Sequence, residues 1–263
     1  MGICVRKRCF LGALALGPAA LAALGTRALA PVRVAAASDL KFALAELARQ
    51  YQSQAGSSVQ LSLGSSGQFV QQIRQGLPVD LYMSADEDFV FQLADAGLTR
   101  DRGALYALGR IAAVVAAASP LVLDPALEGL RAAGAGIRHF AIANPEHAPY
   151  GKRAEEALRH KGLWDAIRSK LVYGENVSQA AQFATSANAQ GGIIAYSLAL
   201  APTVAARGSS ALIPHEWHSP LRQRMALLKN AGPVAARFYD YVQRPAARAI
   251  FRKYGFLLPG ESS

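Results

Sequence analysis

The chain has 263 residues and a formal net charge of +10, and 52% of its residues are hydrophobic while 17% are charged. This balance excludes an intrinsically disordered chain, which combines low hydrophobicity with a high charge density. Two cysteines in a chain of this length exclude a small scaffold held together by disulfides. The length suits one large domain or two lobes of roughly 100–150 residues, each with its own core.

Residues 1–30 have the pattern of a secretory signal peptide. The basic stretch Arg6–Arg8 precedes an apolar run, Phe10–Leu24, and small residues follow at Ala28 and Ala30. A membrane-spanning helix usually needs about 20 apolar residues, so the run predicts export rather than permanent anchoring. We expect cleavage after Ala28 or after Ala30.

Removal of this segment changes what the rest of the chain can do. Both cysteines, Cys4 and Cys9, lie inside it, so we expect no thiolate nucleophile and no cysteine metal site in the mature chain. The segment also holds four basic residues and no acidic one, which lowers the formal net charge of the remainder from +10 to +6. A mildly basic soluble protein of this kind attracts anions over long range.

Apolar runs alternate with stretches of helical spacing along the mature chain. Strands are predicted at Val32–Ala37, Val59–Leu63, Val79–Met83, Ile111–Ala117, His139–Ala143, Leu171–Tyr173, Gly192–Tyr196 and Met225–Leu228. Helices are predicted to end at Gly56, Gly76 and Gly97 in the first half, and to span Arg153–His160, Ser178–Thr185, Val234–Val242 and Pro245–Tyr254 in the second. This alternation predicts an α/β fold with mostly parallel sheets.

Two turns of the same design are the strongest candidates for a binding site. Ser38 and Asp39 lie where the first strand ends and a helix begins, and Ser66 lies at the corresponding place after the second strand. Helix starts carry unpaired N–H groups and a partial positive charge, and serine adds a hydroxyl donor. Two such starts at neighbouring strand ends predict a cradle for an oxyanion. The alternative is that these three residues are ordinary N-caps.

Other chemistry finds little support in the sequence. His215 and His218 flank Glu216-Trp217, which is not a zinc-protease spacing, so we interpret the pair as part of a surface loop. The basic stretch 222–253 keeps its apolar residues on one helical face, which favours a solvated surface over nucleic-acid binding. No nucleophile elbow, phosphate-binding loop or dinucleotide fingerprint is present.

Motifs along nearly the whole mature chain, in order, resemble those of the periplasmic molybdate-binding proteins of ABC transporters. They are Ala35–Leu40, Gly64–Ser66, Gln72-Ile73 with Gly76, Asp80–Asp86, Asn144–Gly151, Glu175–Val177, Phe238–Tyr241 and Phe251–Phe256. The resemblance implies a two-lobed periplasmic binding protein fold, in which each lobe is a mostly parallel sheet flanked by helices and the ligand cleft lies between the lobes. The first lobe is expected to hold residues 31–109 and 220–259, the second 110–219, and a short tail 260–263.

The resemblance also implies a ligand set and a role. Ser38 with Asp39, Ser66, Tyr150 and Val177 are expected to bind the oxyanion, Tyr150 and Val177 through their backbone N–H groups. The expected protein is a periplasmic monomer and not an enzyme. It needs no cofactor and no protein-coordinated metal cation, because bound molybdate or tungstate is its cargo. Its expected partner is the membrane permease of the transporter, and no nucleic acid is involved.

Two further expectations concern a tyrosine that binds the ligand in some family members and the direction of the Asp39 side chain. Some members have a ligand-binding tyrosine in the stretch that here reads Gly192–Ala195, and Tyr196 comes one position later. A shift of one residue turns a strand side chain to the opposite face, so we assign no contact to Tyr196. Asp39 is expected to cap its helix through the N–H groups of Leu40 to Phe42 rather than to point at the anion.

Two alternatives stay open at this point. The binding protein could take another oxyanion, such as sulfate or phosphate. A protein of a different class, a hydrolase or transferase on an α/β scaffold, would use Ser38 or Ser66 as its nucleophile. That chemistry needs a base within hydrogen-bond reach of the serine, and no sequence motif supplies one.

Overall fold

The computed structural model describes residues 1–2, 30–186 and 189–261. The predicted signal peptide therefore lies almost entirely outside the described residues. Within the described ranges, no helix is long and apolar enough to cross a lipid bilayer.

The described chain alternates strands and helices almost throughout. The strands are β1 (Val32–Ala37), β2 (Val59–Gly64), β3 (Leu81–Ser84), β4 (Ala104–Gly109), β5 (Ile111–Ala116), β6 (Phe140–Ala143), β7 (Leu171–Gly174), β8 (Gly191–Ala195), β9 (Gly208–Leu212) and β10 (Leu221–Leu227). The helices are α1 (Lys41–Ala55), α2 (Ser66–Arg74), α3 (Glu87–Asp95), α4 (Glu128–Ala133), α5 (Pro149–His160), α6 (Trp164–Ile167), α7 (Val177–Ala184), α8 (Tyr196–Ala199), α9 (Pro202–Ala205), α10 (Pro233–Val242) and α11 (Pro245–Lys253). Short 3-10 turns lie at Ser38–Leu40, Gly134–Gly136, Arg168–Lys170 and His215–Trp217.

The strands form two five-stranded sheets with the same internal plan. The first sheet has the order β2-β1-β3-β10-β4 and the second the order β7-β6-β8-β5-β9. In the first sheet β10 runs antiparallel to both its neighbours, β3 and β4, and in the second β5 runs antiparallel to both β8 and β9, while the other pairs are parallel. The two-lobed α/β fold with mostly parallel sheets is confirmed, because one strand in each sheet, next to a lobe crossing, runs opposite to the other four.

The chain passes between the two sheets twice. β4 ends at Gly109 and β5 begins at Ile111 in the other sheet, and β10 returns to the first sheet after β9. Two crossings form a hinge, about which two lobes can close on a ligand. The limits 109/110 and 219/220 that we predict for the lobes stay predictions.

The first lobe has a core on each face of its sheet. On one face, α1, α10 and α11 cover the strands with a cluster that includes Leu44, Phe238 and Phe251, each with no more than 1% of its surface exposed. On the other face, α2 and α3 contribute Phe69, Val70 and Leu93. The second lobe has a cluster built on β5, β6 and β8, and Ala37, Ala85 and Leu221 of the first lobe join it.

Some strand boundaries differ from the sequence predictions. β4 and β9 were not predicted, because their sequences are rich in alanine, glycine and serine and show no clear apolar alternation. β10 begins at Leu221, four residues before the predicted start, because the charged residues Arg222 and Arg224 alternate with buried Gln223. The strand predicted to reach Tyr196 ends at Ala195.

The returning C-terminal helices should be essential to the first lobe. Phe238 is fully buried, and its ring lies 5.0 Å from that of Tyr51 on α1. We expect Phe238→Ala to lower the free energy of unfolding by about 3–5 kcal/mol, measured by urea denaturation, because it opens a cavity in this core. Val122→Ala is the control, since that side chain is 70% exposed. Equal effects of the two substitutions would contradict the assignment of Phe238 to the core.

Candidate functional site

Helices begin at the carboxyl ends of two adjacent parallel strands in each lobe. In the first lobe β1 and β2 pair so that Ala37 lies opposite Gly64, which places Ser38 beside the start of α2. In the second lobe β6 and β7 pair so that Ala143 lies opposite Gly174, which places the starts of α5 and α7 side by side. The parallel register therefore gives each lobe two neighbouring helix starts at one edge of its sheet.

Ser38 joins the first lobe to the start of α7 in the second. Its side-chain oxygen accepts a hydrogen bond from the Ser178 N–H at 3.1 Å, and the Ser178 hydroxyl donates to the Ser38 carbonyl at 2.9 Å. Ser38 is only 2% exposed. Since its hydroxyl oxygen already accepts a bond, its O–H proton remains as a donor.

Ser66 has a corresponding arrangement at the start of α2. Its side-chain oxygen accepts a hydrogen bond from the Ala85 N–H at 3.1 Å, and it is completely buried. The N-cap of α2 is its neighbour Ser65, whose side chain accepts from the Gln68 N–H. Ser66 is therefore not an ordinary N-cap, and its O–H proton is also left to donate.

Gly67, the second residue of α2, brings its backbone into contact with the other lobe. Its N–H donates to the His147 carbonyl at 2.9 Å. A Cβ at this position would lie 2.8 Å from that same oxygen, which is closer than real Cβ atoms come. The contact between the lobes thus requires glycine here.

Tyr150 and Val177 are the second and first residues of α5 and α7. The first N–H groups of a helix have no acceptor inside it. Within the described residues, no protein acceptor is found for either N–H. Both residues are buried, with 2% and 3% of their surface exposed, so these donors face the interior of the molecule and not bulk water.

The side chain of Asp39 does not adopt the predicted pose. No side chain caps the turn Ser38–Leu40 or the start of α1. Instead, Asp39 Oδ2 accepts hydrogen bonds from the Tyr150 hydroxyl at 2.9 Å and from Gln223 Nε2 at 2.7 Å. The expectation of a helix cap was wrong because two long-range donors, one from each lobe, compete for this oxygen.

Asp39 lies in a cluster of neutral polar groups. Gln223 Nε2 also lies 2.9 Å from the Tyr150 hydroxyl, and its Oε1 accepts from the Tyr106 hydroxyl at 2.8 Å. Asp39 Oδ1 is buried without a hydrogen-bond partner. Burial raises the pKa of Asp39 from 3.8 to about 6, and the hydrogen bonds from Gln223 and Tyr150 counteract this only in part.

Sequence reasoning missed several of these residues. It treated the Tyr150 side chain as incidental, although that hydroxyl bridges the lobes. It did not find Gln223, Tyr106 or Ser178, nor Ser197, whose hydroxyl donates to the Asp39 carbonyl at 2.9 Å. The sequence offered one signal, Gln223. It is a polar residue at a buried position of a strand in which the neighbouring residues alternate between apolar and charged.

The geometry gives no support to a serine nucleophile. Neither Ser38 nor Ser66 has a base among its hydrogen-bond partners in the described chain. The serine that does meet a histidine is Ser65, 2.8 Å from His147 Nδ1, but it also bonds the His147 carbonyl at 2.7 Å and caps α2. Ser65 therefore holds two segments together across the cleft.

The remaining candidates from the sequence lie apart from this cluster. The ring of Tyr196, at the start of α8, faces the guanidinium of Arg110 at 4.8 Å. His215 and His218 flank a 3-10 turn, and His215 is exposed. Among the described residues, no group of three or more His, Cys, Asp or Glu could hold a metal ion.

Two lobes joined by a hinge, with hydrogen-bond donors at the cleft between them, define a two-lobed binding protein. Comparison with known sequences identifies its family. The profile of the bacterial extracellular solute-binding proteins matches residues 32–257. The chain belongs to this family of transport components, and it is a binding protein rather than an enzyme.

Two relatives of this chain are molybdate-binding proteins. The molybdate-binding protein ModA of Rhodobacter capsulatus is 34% identical over 215 residues, 81% of this chain and 82% of that protein. ModA of Azotobacter vinelandii is 32% identical over 84% of this chain and 87% of its own length. The resemblance seen in the sequence motifs is thereby confirmed.

Solved structures agree with the sequence relatives. The periplasmic molybdate-binding protein of Azotobacter vinelandii superposes with a TM-score of 0.79 and 31% identity, over 87% of this chain and 99% of that one. The sulfate-binding protein SubI of Mycobacterium tuberculosis H37Rv has a TM-score of 0.73 over 88% and 87% of the chains, but only 15% identity. The second likeness shows the fold alone.

Proposed function

We propose that this chain is the substrate-binding component of an ABC importer and that its cargo is molybdate, with tungstate as a second ligand. The observation that carries the proposal is the convergence of hydrogen-bond donors at the cleft. Ser38, Ser66, Tyr150 and Val177 come from four helix starts, two in each lobe, and inter-lobe hydrogen bonds join these starts. The relatives named as molybdate-binding proteins supply the identity of the anion.

The donor chemistry suits a tetrahedral dianion that carries no proton. Such an anion can only accept hydrogen bonds, so a site made of N–H and O–H donors satisfies it fully. Hydrogen bonds to an ionised acceptor are about twice as strong as neutral ones, and helix starts add a favourable dipole. No lysine or arginine is needed at the contact.

We assign the anion contacts to five residues. Ser38 and Ser66 donate through their hydroxyls, and Asp39, Tyr150 and Val177 donate through their backbone N–H groups. Each lies at a helix start and is at least 97% buried. The set draws on both lobes, so an anion bound by it stabilises the closed arrangement.

The wider role follows from the same proposal. Residues 1–30 act as a signal peptide, the mature protein works in the periplasm as a monomer, and it delivers its cargo to a membrane permease. Bound molybdate or tungstate is cargo and not a cofactor. The protein contacts only the oxygen atoms of the anion.

A parallel titration of the purified mature protein tests the ligand. Molybdate, tungstate, sulfate and phosphate are added separately near pH 7, and binding is followed by calorimetry. We expect tight binding of molybdate and tungstate, weak binding of sulfate because it is a smaller tetrahedron of the same charge, and little binding of phosphate. Tighter binding of phosphate or sulfate than of molybdate would contradict the proposal.

The two serine hydroxyls should contribute directly to affinity. We expect Ser38→Ala and Ser66→Ala each to weaken molybdate binding by about 1–3 kcal/mol, the typical cost of losing a hydrogen bond to a charged, buried partner. Ser53→Ala is the control, because that exposed side chain bonds the Gln50 carbonyl within α1, so affinity should not change. A general loss of folding stability is a different effect from a loss of affinity. Melting curves and calorimetry on the same variants separate the two effects. Unchanged affinity in both variants would remove these serines from the site.

Closure of the lobes should require that residue 67 is a glycine, which has no Cβ. In Gly67→Ala the new Cβ would meet the His147 carbonyl, so we expect molybdate affinity to fall about tenfold or more. The folded lobe itself should be unharmed, since alanine favours helix more than glycine does. Gly136→Ala is the matched control, because a Cβ there meets no atom within 4 Å. Equal affinities for the two variants would show that this contact does not limit closure.

A further inference from the structure

The Asp39 carboxyl lies in the cluster that bridges the lobes, where burial keeps the Tyr106 and Tyr150 hydroxyls protonated by raising their pKa values well above 10. It lies on the first lobe at the turn after β1 and is 1% exposed. The groups that face it are the Tyr150 hydroxyl from α5, the Gln223 amide from β10 and, one step behind, the Tyr106 hydroxyl from β4. The backbone N–H groups of Asp39 and Leu40 also lower the pKa of the carboxyl, by less than Gln223 and Tyr150 do. All of these are neutral donors, and none of the hydrogen bonds to the carboxyl comes from a lysine, arginine or histidine.

The two carboxyl oxygens have different surroundings. Oδ2 accepts both hydrogen bonds, whereas Oδ1 is buried and has no partner. An ionised carboxylate offsets its desolvation best when both of its oxygens accept hydrogen bonds. With Oδ1 buried and unpaired, the charge of the ionised carboxylate is only partly compensated, which favours uptake of a proton.

The negative charge of the proposed cargo is a second reason to expect a protonated Asp39 carboxyl. Asp39 follows Ser38 directly in the chain, and both residues are assigned to the anion contacts. Two like charges that share a buried site disfavour one another's ionised form. A dianion bound next to an ionised carboxylate would place three negative charges in a cleft that has no cation among the assigned contacts.

We propose that Asp39 takes up a proton from solvent when the lobes close on the anion, so that oxyanion and proton bind together. The proposal rests on the proposed function. In the open arrangement the carboxyl meets water and loses the Tyr150 bond, because Tyr150 belongs to the other lobe. Closure transfers the carboxyl to the buried, neutral cluster, and Gln223 and Tyr150 then position it.

The sign of the pH dependence follows from the direction of the pKa change. The closed form holds the proton more tightly than the open form, since burial raises the pKa from 3.8 to about 6. Affinity for the anion should therefore rise as the pH falls through about 6 and level off near 4. With these two values, linkage predicts about fourfold tighter binding at pH 5.5 than at pH 7.5 and an uptake of about half a proton per anion at pH 6.

Calorimetry on the full mature protein tests the proposal. Molybdate is titrated at pH 6 in buffers with different ionisation enthalpies, which gives the number of protons taken up per anion, and its affinity is measured from pH 5.5 to 7.5. We expect uptake of about half a proton or more in the wild type. Asp39→Asn keeps the shape of the side chain and an oxygen that can accept from the Tyr150 hydroxyl, but it cannot ionise, so this variant should show no proton uptake and no dependence of affinity on pH.

The controls separate this proposal from the proposed function. Asp165→Asn should keep the wild-type uptake, because that carboxylate is 88% exposed on the surface of the second lobe. Molybdate binding without proton uptake, or a pH slope that survives in Asp39→Asn, would overturn the role of Asp39 and leave the function intact. An absence of molybdate binding at every pH would overturn both. The wild-type proton count decides the matter even where the Asp39 variant fails to fold.

Discussion

An unprotonated oxyanion accepts hydrogen bonds and cannot donate them, and this constraint governs the design of the cleft. Backbone N–H groups at helix starts are fixed donors that cannot ionise or swing away. Parallel pairing places two such starts side by side in each lobe, as Ala37 opposite Gly64 shows in the first. The serine hydroxyls at Ser38 and Ser66 extend the same donor set, because each oxygen already accepts a backbone N–H.

The lobes meet through apolar contacts, since Ala37, Ala85 and Leu221 of the first lobe join the hydrophobic cluster of the second, and also through polar ones. The polar contacts bear on how the cleft can open. Arg153 on α5 bonds Asp86 at 2.8 Å, and Gln68 on α2 bonds Glu175 at 2.7 Å. Water can replace such bonds when the lobes separate, so their net contribution to closure is modest. An anion that binds both lobes can shift the equilibrium between open and closed arrangements.

The sequence predicted the parts of the site that depend on local structure. Ser38 and Ser66 follow apolar strands and precede helices, and strand ends of this kind can be identified from a few neighbouring residues. The partners of Asp39 could not be found in this way. Tyr150 is 111 residues away and Gln223 is 184 residues away, so their meeting depends on the register of the crossing strands and on the fit of two lobes.

The hinge and the cleft are physically linked through this same cluster. Gly109 is the last residue of β4, where the chain leaves the first lobe, and a Cβ there would lie 2.4 Å from the Tyr150 hydroxyl and 2.8 Å from Gln223 Nε2. The crossing strand thus makes room for the bridge to Asp39 only because it carries no side chain at this point. A rotation at the hinge must move Tyr150 relative to Gln223, so the bridge forms or breaks with the opening of the cleft. The buried carboxyl therefore lies where lobe movement would change its surroundings, next to the donors that we propose for the anion.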